Sequence, residues 1–172
     1  YQENGEYVGF DLDLAQEVCD RNGWELVKTP IDWDAKNMEL NSGAIDCIWN
    51  GFTLNGREDD YTWTPAYINN TQVFAVNKNS GITKAADLAG KNVLVQADSS
   101  ALAALQDEEN TDIKALADSF GSLTQVPDYE SALMELEAGS ADAVAMDEGV
   151  ALTKQAQNDN IVILDDVISQ EQ

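Results

Sequence analysis

Any binding chemistry in this chain has to be organised around Arg57. The chain contains only two arginines, and Arg21 falls in the last turn of an expected helix, where a cation offsets the helix dipole. Arg57 follows the run Asn50-Gly51-Phe52-Thr53-Leu54-Asn55-Gly56, a loop expected to leave the end of a buried strand at Asn50. A planar guanidinium holds a carboxylate through two parallel N–H bonds, so Arg57 is a candidate clamp for an anionic group. The competing account is an ion pair with Glu58, Asp59 or Asp60, which follow it directly. In the same loop Gly51 lets backbone approach a ligand closely and Thr53 adds a hydroxyl. Both residues also suit a plain turn.

Two further segments supply complementary groups. Gln96-Ala97-Asp98-Ser99-Ser100 runs from an expected strand into a helix start, where exposed backbone N–H groups attract anions. Capping of that helix by Ser99 or Ser100 explains the same residues and does not exclude a ligand. Asp147 directly follows another buried strand and could accept an ammonium group, or simply cap the next helix. Trp33, Trp49 and Phe52 can wall a pocket or fill a core. An arginine, a hydroxyl and helix N–H groups on one side, with a carboxylate on the other, are what a zwitterionic amino acid requires. Gln96 and Asp98 border the expected side-chain pocket.

Several other chemistries drop out. The Gly-containing loop lacks the G-x-x-x-x-G-K-[ST] spacing of a phosphate loop, and Asp11-x-Asp13 lacks the glycine and spacing of a calcium loop. With no histidine, Ser-His-Asp triads and His-ligated zinc are absent. Cys19 and Cys47 are 28 positions apart, which fits no CxxC motif. They read as two buried thiols or as one disulfide in an oxidising compartment. No cofactor or metal is expected. The 172 residues carry 32 acidic against 9 basic side chains, a formal charge of −23, which disfavours nucleic acid and anionic membrane surfaces. No apolar run approaches the roughly 20 residues of a spanning helix, and 44% hydrophobic residues argue for a packed core.

The elements that must position these residues alternate. Asn4-Gly5 is a turn signal between two strands. Asp11 is expected to cap a helix through Arg21 that stops at Gly23, followed by a strand Trp24 to Lys28. A helix from Asp32 to Gly43 leads to a strand Ile45 to Trp49, and Thr71 to Asn77 is a further strand. After a short helix around Ala85 to Leu88 come a strand Asn92 to Gln96, a helix Ala101 to Leu105, a strand Leu123 to Val126 and a helix Tyr129 to Glu137. A strand Ala141 to Met146, a helix Asp147 to Gln155 and a strand Ile161 to Leu164 complete the pattern. This alternation implies βαβ units and mostly parallel sheets. The stretch Met38 to Trp49 is echoed by Met134 to Ala145, each reading helix, glycine stop, short turn with Asp and buried strand; any αβ connection can look like this, but the echo suggests two related lobes. In such sheets ligands sit beyond the carboxyl ends of the strands, here Asn50-Gly51 and Met146-Asp147.

The run Tyr7-Val8-Gly9-Phe10-Asp11-Leu12-Asp13-Leu14-Ala15 resembles the opening of the bacterial extracellular solute-binding proteins, family 3, of the polar amino-acid type. So do Ile31-Asp32-Trp33-Asp34, Ser42-Gly43-Ala44-Ile45-Asp46, Asn50 to Glu58, Ala86-Asp87-Leu88-Ala89-Gly90-Lys91-Asn92-Val93 and Ala138-Gly139-Ser140-Ala141-Asp142-Ala143-Val144, in the family's order. The resemblance implies an α/β, two-lobed, hinged Venus flytrap of the type II periplasmic-binding-protein class. Its lobes would be residues 1–72 and 73–165, with 166–172 starting the return to the first lobe. It would bind a polar L-amino acid in the cleft and deliver it to the permease subunits of an ABC-type importer, as a binder and not an enzyme. By position, the resemblance puts the carboxylate clamp on Arg57, the hydroxyl on Thr53 and the strand-end glycine on Gly51. It puts the stacking aromatic on Trp33, the anion turn on Ser99 and Ser100, and the ammonium acceptor on Asp147.

Two departures accompany the match. The arginine loop is one residue shorter than the family's common form. The strand that precedes Tyr1 and the return after Gln172 are missing, so the first lobe is expected to be incomplete unless further chain, a second chain or a swapped segment completes it. The start at Tyr1 implies a processed N-terminus, and the expected location is extracellular or periplasmic, with a lipid anchor on a removed N-terminal segment as one form. The alternatives are a dehydratase-like enzyme on this scaffold, with Asp147 or Glu148 as acid or base, and a ligand-sensing receptor ectodomain.

Overall fold

In the computed structural model, which describes residues 2–3 and 5–171, the chain divides into two compact units, Tyr1–Phe52 and Thr53–Gln172. The sequence reading ascribed residues 53–72 to the first lobe; here they belong to the second unit.

In the first unit, Gln2–Glu3 (β1) and Glu6–Tyr7 (β2) pair antiparallel, with Gln2 opposite Tyr7 and Glu3 opposite Glu6. Gly5 takes φ 85°, the left-handed region a tight hairpin needs; Asn4 lies outside the described residues. Helix α1 spans Phe10–Asn22 and ends at left-handed Gly23, where the Trp24 N–H reaches the Cys19 carbonyl at 2.9 Å. The expected cap at Asp11 is displaced: Gly9 occupies the N-cap and Asp11 lies inside the first turn, where its charge favours the helix dipole. A 3-10 turn, Trp33–Ala35, leads into α2, Lys36–Ser42, which stops at Gly43.

The internal repeat survives as geometry at its glycines. Gly43 (φ 75°, ψ 17°) and Gly139 (φ 74°, ψ 16°) end their helices in the same conformation. The N–H groups of Ala44 and Ser140 bond the Glu39 and Glu135 carbonyls at 3.1 and 3.0 Å. Beyond the glycines the copies part. Ala143–Asp147 becomes a buried strand, whereas neither Ile45–Trp49 nor Trp24–Lys28 forms the expected strand. A strand is held by its ladder, and among the described residues of this unit β1 and β2 pair only with each other. Trp24 and Val27 accordingly remain 64% and 73% exposed. The expected sheet of the first lobe is therefore reduced to a two-stranded hairpin. Both cysteines are free, Cys19 half-buried and Cys47 exposed, so neither the disulfide nor a pair of buried thiols is realised. Partial burial pushes the Cys47 thiol up from its ordinary value, with Asp46 and Cys19 adding to the shift.

The second unit is built on a five-stranded sheet: β3 (Asn70–Asn77), β4 (Asn92–Gln96), β5 (Ser122–Val126), β6 (Ala143–Asp147) and β7 (Ile161–Glu171), in the order β5-β4-β6-β3-β7. β4 runs parallel to β5 and β6, while β3 is antiparallel to both β6 and β7, so four strands share one direction and β3 opposes them. Strand alternation divides the core. Phe74, Val76, Val93, Val95, Ala143 and Ala145 face one side, under α3 (Ser100–Gln106). Val73, Ala75, Leu94, Val144 and Met146 face the other, under α5 (Tyr129–Ala138) and α6 (Glu148–Gln157). Helix α4, Thr111–Asp118, was not legible in its acidic surroundings. It is capped by Asn110 and lays Ile113, Leu116 and Ala117 against the first face. β7 runs seven residues past the expected end at Leu164, because β3 gives it a partner as far as Asn70 opposite Glu171.

One glycine holds the turn before β5. A Cβ built on Gly121 would lie 2.5 Å from the Gly90 carbonyl oxygen and 2.8 Å from its carbon, both backbone. Because backbone cannot rotate away, Gly121→Ala is expected to destabilise the protein by about 1–3 kcal/mol, read as a lowered urea midpoint with unchanged slope.

Candidate functional site

All five strands of the second unit bring an end to one edge of the sheet, where Gln96, Val126, Asp147 and Glu171 close their strands and Asn70 opens β3. This is the edge at which α/β sheets bind ligands. β3 lies between β6 and β7, and its polar residues Asn70 and Gln72, two apart and so on one face, meet an acid from each neighbour. Gln72 is register partner of Asp147 on β6, and Asn70 of Glu171 on β7.

Hydrogen bonds close the cluster. The Gln72 Nε2 donates to Asp147 Oδ1 at 2.6 Å and also to Glu171 Oε1. The Asn70 Nδ2 donates to Glu171 Oε1 at 2.9 Å and also to Asp147 Oδ1. The Tyr129 hydroxyl donates to Asp147 Oδ2 at 2.8 Å, and the buried Thr53 hydroxyl donates to Glu171 Oε1 at 3.0 Å. Asp147 occupies the N-cap position of α6 but makes no side-chain capping bond. Its carboxylate is drawn into the cluster instead, which decides against plain capping.

Burial raises the Tyr129 phenol well above its ordinary value, and the neighbouring Asp147 charge adds to the effect. The folded protein therefore keeps this proton at a pH where the unfolded chain, ionising near about 10, has lost it. The associated stability is complete below about pH 10 and declines as pH rises above it. Tyr129→Phe is expected to cost about 1 kcal/mol at neutral pH through the lost bond to Asp147. It is also expected to flatten the alkaline decline, measured by urea unfolding on either side of pH 10.

Arg57 continues the network. Its Nη1 donates to the Thr53 carbonyl at 3.4 Å and its Nη2 to the Asp98 carbonyl at 3.2 Å. The Trp63 indole N–H donates to the Arg57 carbonyl at 3.0 Å. Glu58, one of the alternative ion-pair partners, bonds the backbone at Glu58 and Gly56, which holds its carboxyl below the ordinary carboxylate range. Asp98 adopts φ 54°, the one left-handed non-glycine among the described residues, and turns its carbonyl to the guanidinium. Contacts thus run without a break from the guanidinium, through Thr53, to Glu171, the two amides and Asp147.

The remaining expected residues are placed as follows. The Ser99 hydroxyl accepts from the Leu102 N–H at 3.2 Å and caps α3, of which Ser100 is the first residue. The Gln96 side chain donates to the Pro127 carbonyl at 3.3 Å. Trp33, Asn50 and Gly51 belong to the first unit. There Trp33 meets Phe52 edge-on at 5.0 Å, and the buried Lys36 ammonium lies 4.8 Å over the Trp33 ring. Gly51 has φ 73°, and a Cβ there would meet Asp11 Oδ2 at 3.6 Å. Glu171, Asn70, Gln72 and Tyr129 were missed. Asn70 and Gln72, two apart just before the apolar run Val73–Val76, were the available signal.

The likeness to solved structures shows a type II periplasmic-binding-protein fold. A substrate binding protein of an ABC uptake transporter from Streptococcus pneumoniae, with bound histidine, matches at TM-score 0.86 and 30% identity, covering 99% of this chain and 70% of that one. Tv2483 bound to L-arginine matches at TM-score 0.86 and 29% identity, covering 99% and 68%. The chain belongs to the bacterial extracellular solute-binding proteins, family 3, whose model matches residues 1–121. The arginine-binding extracellular protein ArtP of Bacillus subtilis is 28% identical over 163 residues, 94% of this chain and 61% of the relative. A probable histidine-binding protein of Campylobacter jejuni is 28% identical over 164 residues, 94% and 60%. The chain thus spans about three fifths of the length of these curated relatives.

Proposed function

We propose that the protein binds a polar L-amino acid, Arg57 taking its α-carboxylate and Asp147 its α-ammonium, and hands it to an ABC-type importer. The observation that carries this reading is the continuous network from the Arg57 guanidinium to the Asp147 carboxylate, which offers one positive and one negative terminus to a zwitterion. Relatives whose names and structures specify arginine and histidine support it. We also assign ligand contacts to Ser99, Ser100 and Gln96 and, by the family resemblance, to Trp33, Asn50 and Gly51. By the family resemblance the lobes are proposed as 1–72 and 73–165, a division by motif order that differs from the compact units Tyr1–Phe52 and Thr53–Gln172. Further residues of the same chain, or a second chain, complete the first, and a lipid anchor outside the cell is compatible with the family.

A binding role suits the site better than a catalytic one. Both oxygens of Asp147 accept bonds from three side chains, which holds it still, whereas a proton-transfer group must reach its substrate. Calorimetric titration with the twenty proteinogenic L-amino acids tests the proposal. Saturable one-to-one binding of at least one polar amino acid is expected, and no binding by any of them sinks it.

A further inference from the structure

Two carboxylates meet at the sheet edge where the amino-acid reading needs only one. Asp147 Oδ1 and Glu171 Oε1 accept from the same two amide nitrogens, those of Asn70 and Gln72, so the two acids lie against each other. Like charges at that separation repel, most of all away from water. Glu171 is 7% exposed and Gln72 1%, so solvent does little to relieve them. Among the described residues no lysine or arginine forms an ion pair with either acid. Neutral donors alone hold the pair together.

The cluster also has unspent acceptor capacity. The Gln72 side chain is buried and aimed into the cluster, with its nitrogen turned to both carboxylates, and its Oε1 has no hydrogen-bond partner. The amide cannot be turned over to satisfy that oxygen, because its carbonyl would then face two anions. Glu171 Oε2 accepts no hydrogen bond among the described residues, since Oε1 takes all three of the bonds to this side chain. A cation with several N–H donors matches these acceptors and the two charges. A buried polar group without a partner costs free energy, and a paired buried anion without a counter-charge costs more.

We propose that Glu171 is a second ligand-binding acid: with Asp147 it forms a two-carboxylate seat that takes a primary ammonium group. The inference rests on the amino-acid reading and adds a residue and a chemical preference to it. An ammonium offers three N–H donors and one positive charge, enough to bridge the two carboxylates. A secondary or fully substituted amine offers fewer. Thr53 shares in the arrangement. Its hydroxyl proton is turned to Glu171, so the Thr53 oxygen presents lone pairs, and Thr53 serves the ammonium end of the ligand and not the carboxylate end.

The test compares each amino acid with its des-amino counterpart, which keeps the carboxylate and side chain and lacks only the ammonium. The parent, Glu171→Gln and Glu171→Asp are titrated calorimetrically with the twenty L-amino acids, and the tightest binder is then paired with its des-amino acid. The parent is expected to prefer the amino acid by about 100-fold or more, a preference that one neutralised acid reduces by about tenfold or more. Glu171→Gln should show that reduction, while Glu171→Asp, which keeps the charge, should recover part of it. A structural role alone would weaken both ligands equally and leave their ratio untouched. Parental preference in Glu171→Gln overturns the seat and leaves the amino-acid reading standing. Equal losses in Glu171→Gln and Glu171→Asp also overturn it, since charge would then not be what matters. If the parent binds none of the twenty, the amino-acid reading falls and the seat falls with it.

Discussion

Arg57→Ala is expected to lower amino-acid affinity by about two orders of magnitude or more, since removing one partner of a desolvated, hydrogen-bonded charge pair costs roughly 2–5 kcal/mol. The guanidinium is held in a fixed plane by the Thr53 and Asp98 carbonyls, so its geometry is set before a ligand arrives. Such preorganisation is what makes an arginine fork worth more than a mobile charge. Arg57→Lys separates charge from shape. It keeps the charge but loses the fork, and is expected to recover only part of the affinity. Calorimetry on the three proteins reads the series, and Arg57→Ala binding within about threefold of the parent would remove Arg57 from the site.

Asp147→Asn is expected to pull affinity and stability in opposite directions. The ligand's ammonium loses a counter-charge, and affinity falls by about 30-fold or more, on the same scale as for Arg57. The ligand-free protein, however, loses one of two adjacent acids that no lysine or arginine among the described residues offsets, so its unfolding midpoint is expected to stay level or rise. Binding sites commonly carry such a cost to stability. Thermal unfolding with and without a saturating amino acid shows both effects at once. The parent midpoint climbs with ligand, whereas the variant starts as high or higher and climbs little. A variant that unfolds well below the ligand-free parent would make Asp147 a structural residue first.

The sequence made the order of elements in the second unit readable, α4 excepted, because most were bounded by their own chemistry. Gly139 ends its helix by taking φ 74°, Ser99 and Asp128 cap theirs, and the apolar runs of β4 and β6 are buried on both faces. These are local causes that a strand or helix carries wherever it lies. Arg57 and Asp147 stand out as candidates for a similar reason: scarcity marks the first, and the strand-end rule marks the second.

The strands expected at Trp24–Lys28 and Ile45–Trp49 show the limit. Their apolar pattern is sound, yet a strand also needs a neighbour, and none of the described residues supplies one. The same limit hid Glu171. One acid among 32 carries no mark of its own until β7 extends along β3 and sets it opposite Asn70. Asn70 lies outside the strand expected from Thr71 and Gln72 carries no mark of its own within it, and both gain meaning only between β6 and β7.

The sequence by itself determined most of the element pattern of the second unit, α4 and the length of β7 excepted, together with the family and two charged candidates for the site, since each rests on side-chain type, local conformation or motif order. Tertiary structure alone decided which acids stand together and which hydroxyl points where. Hydrogen bonds between strands depend on register, and register is set by the packing of the whole sheet, over sequence separations of 75 to 101 residues at this site.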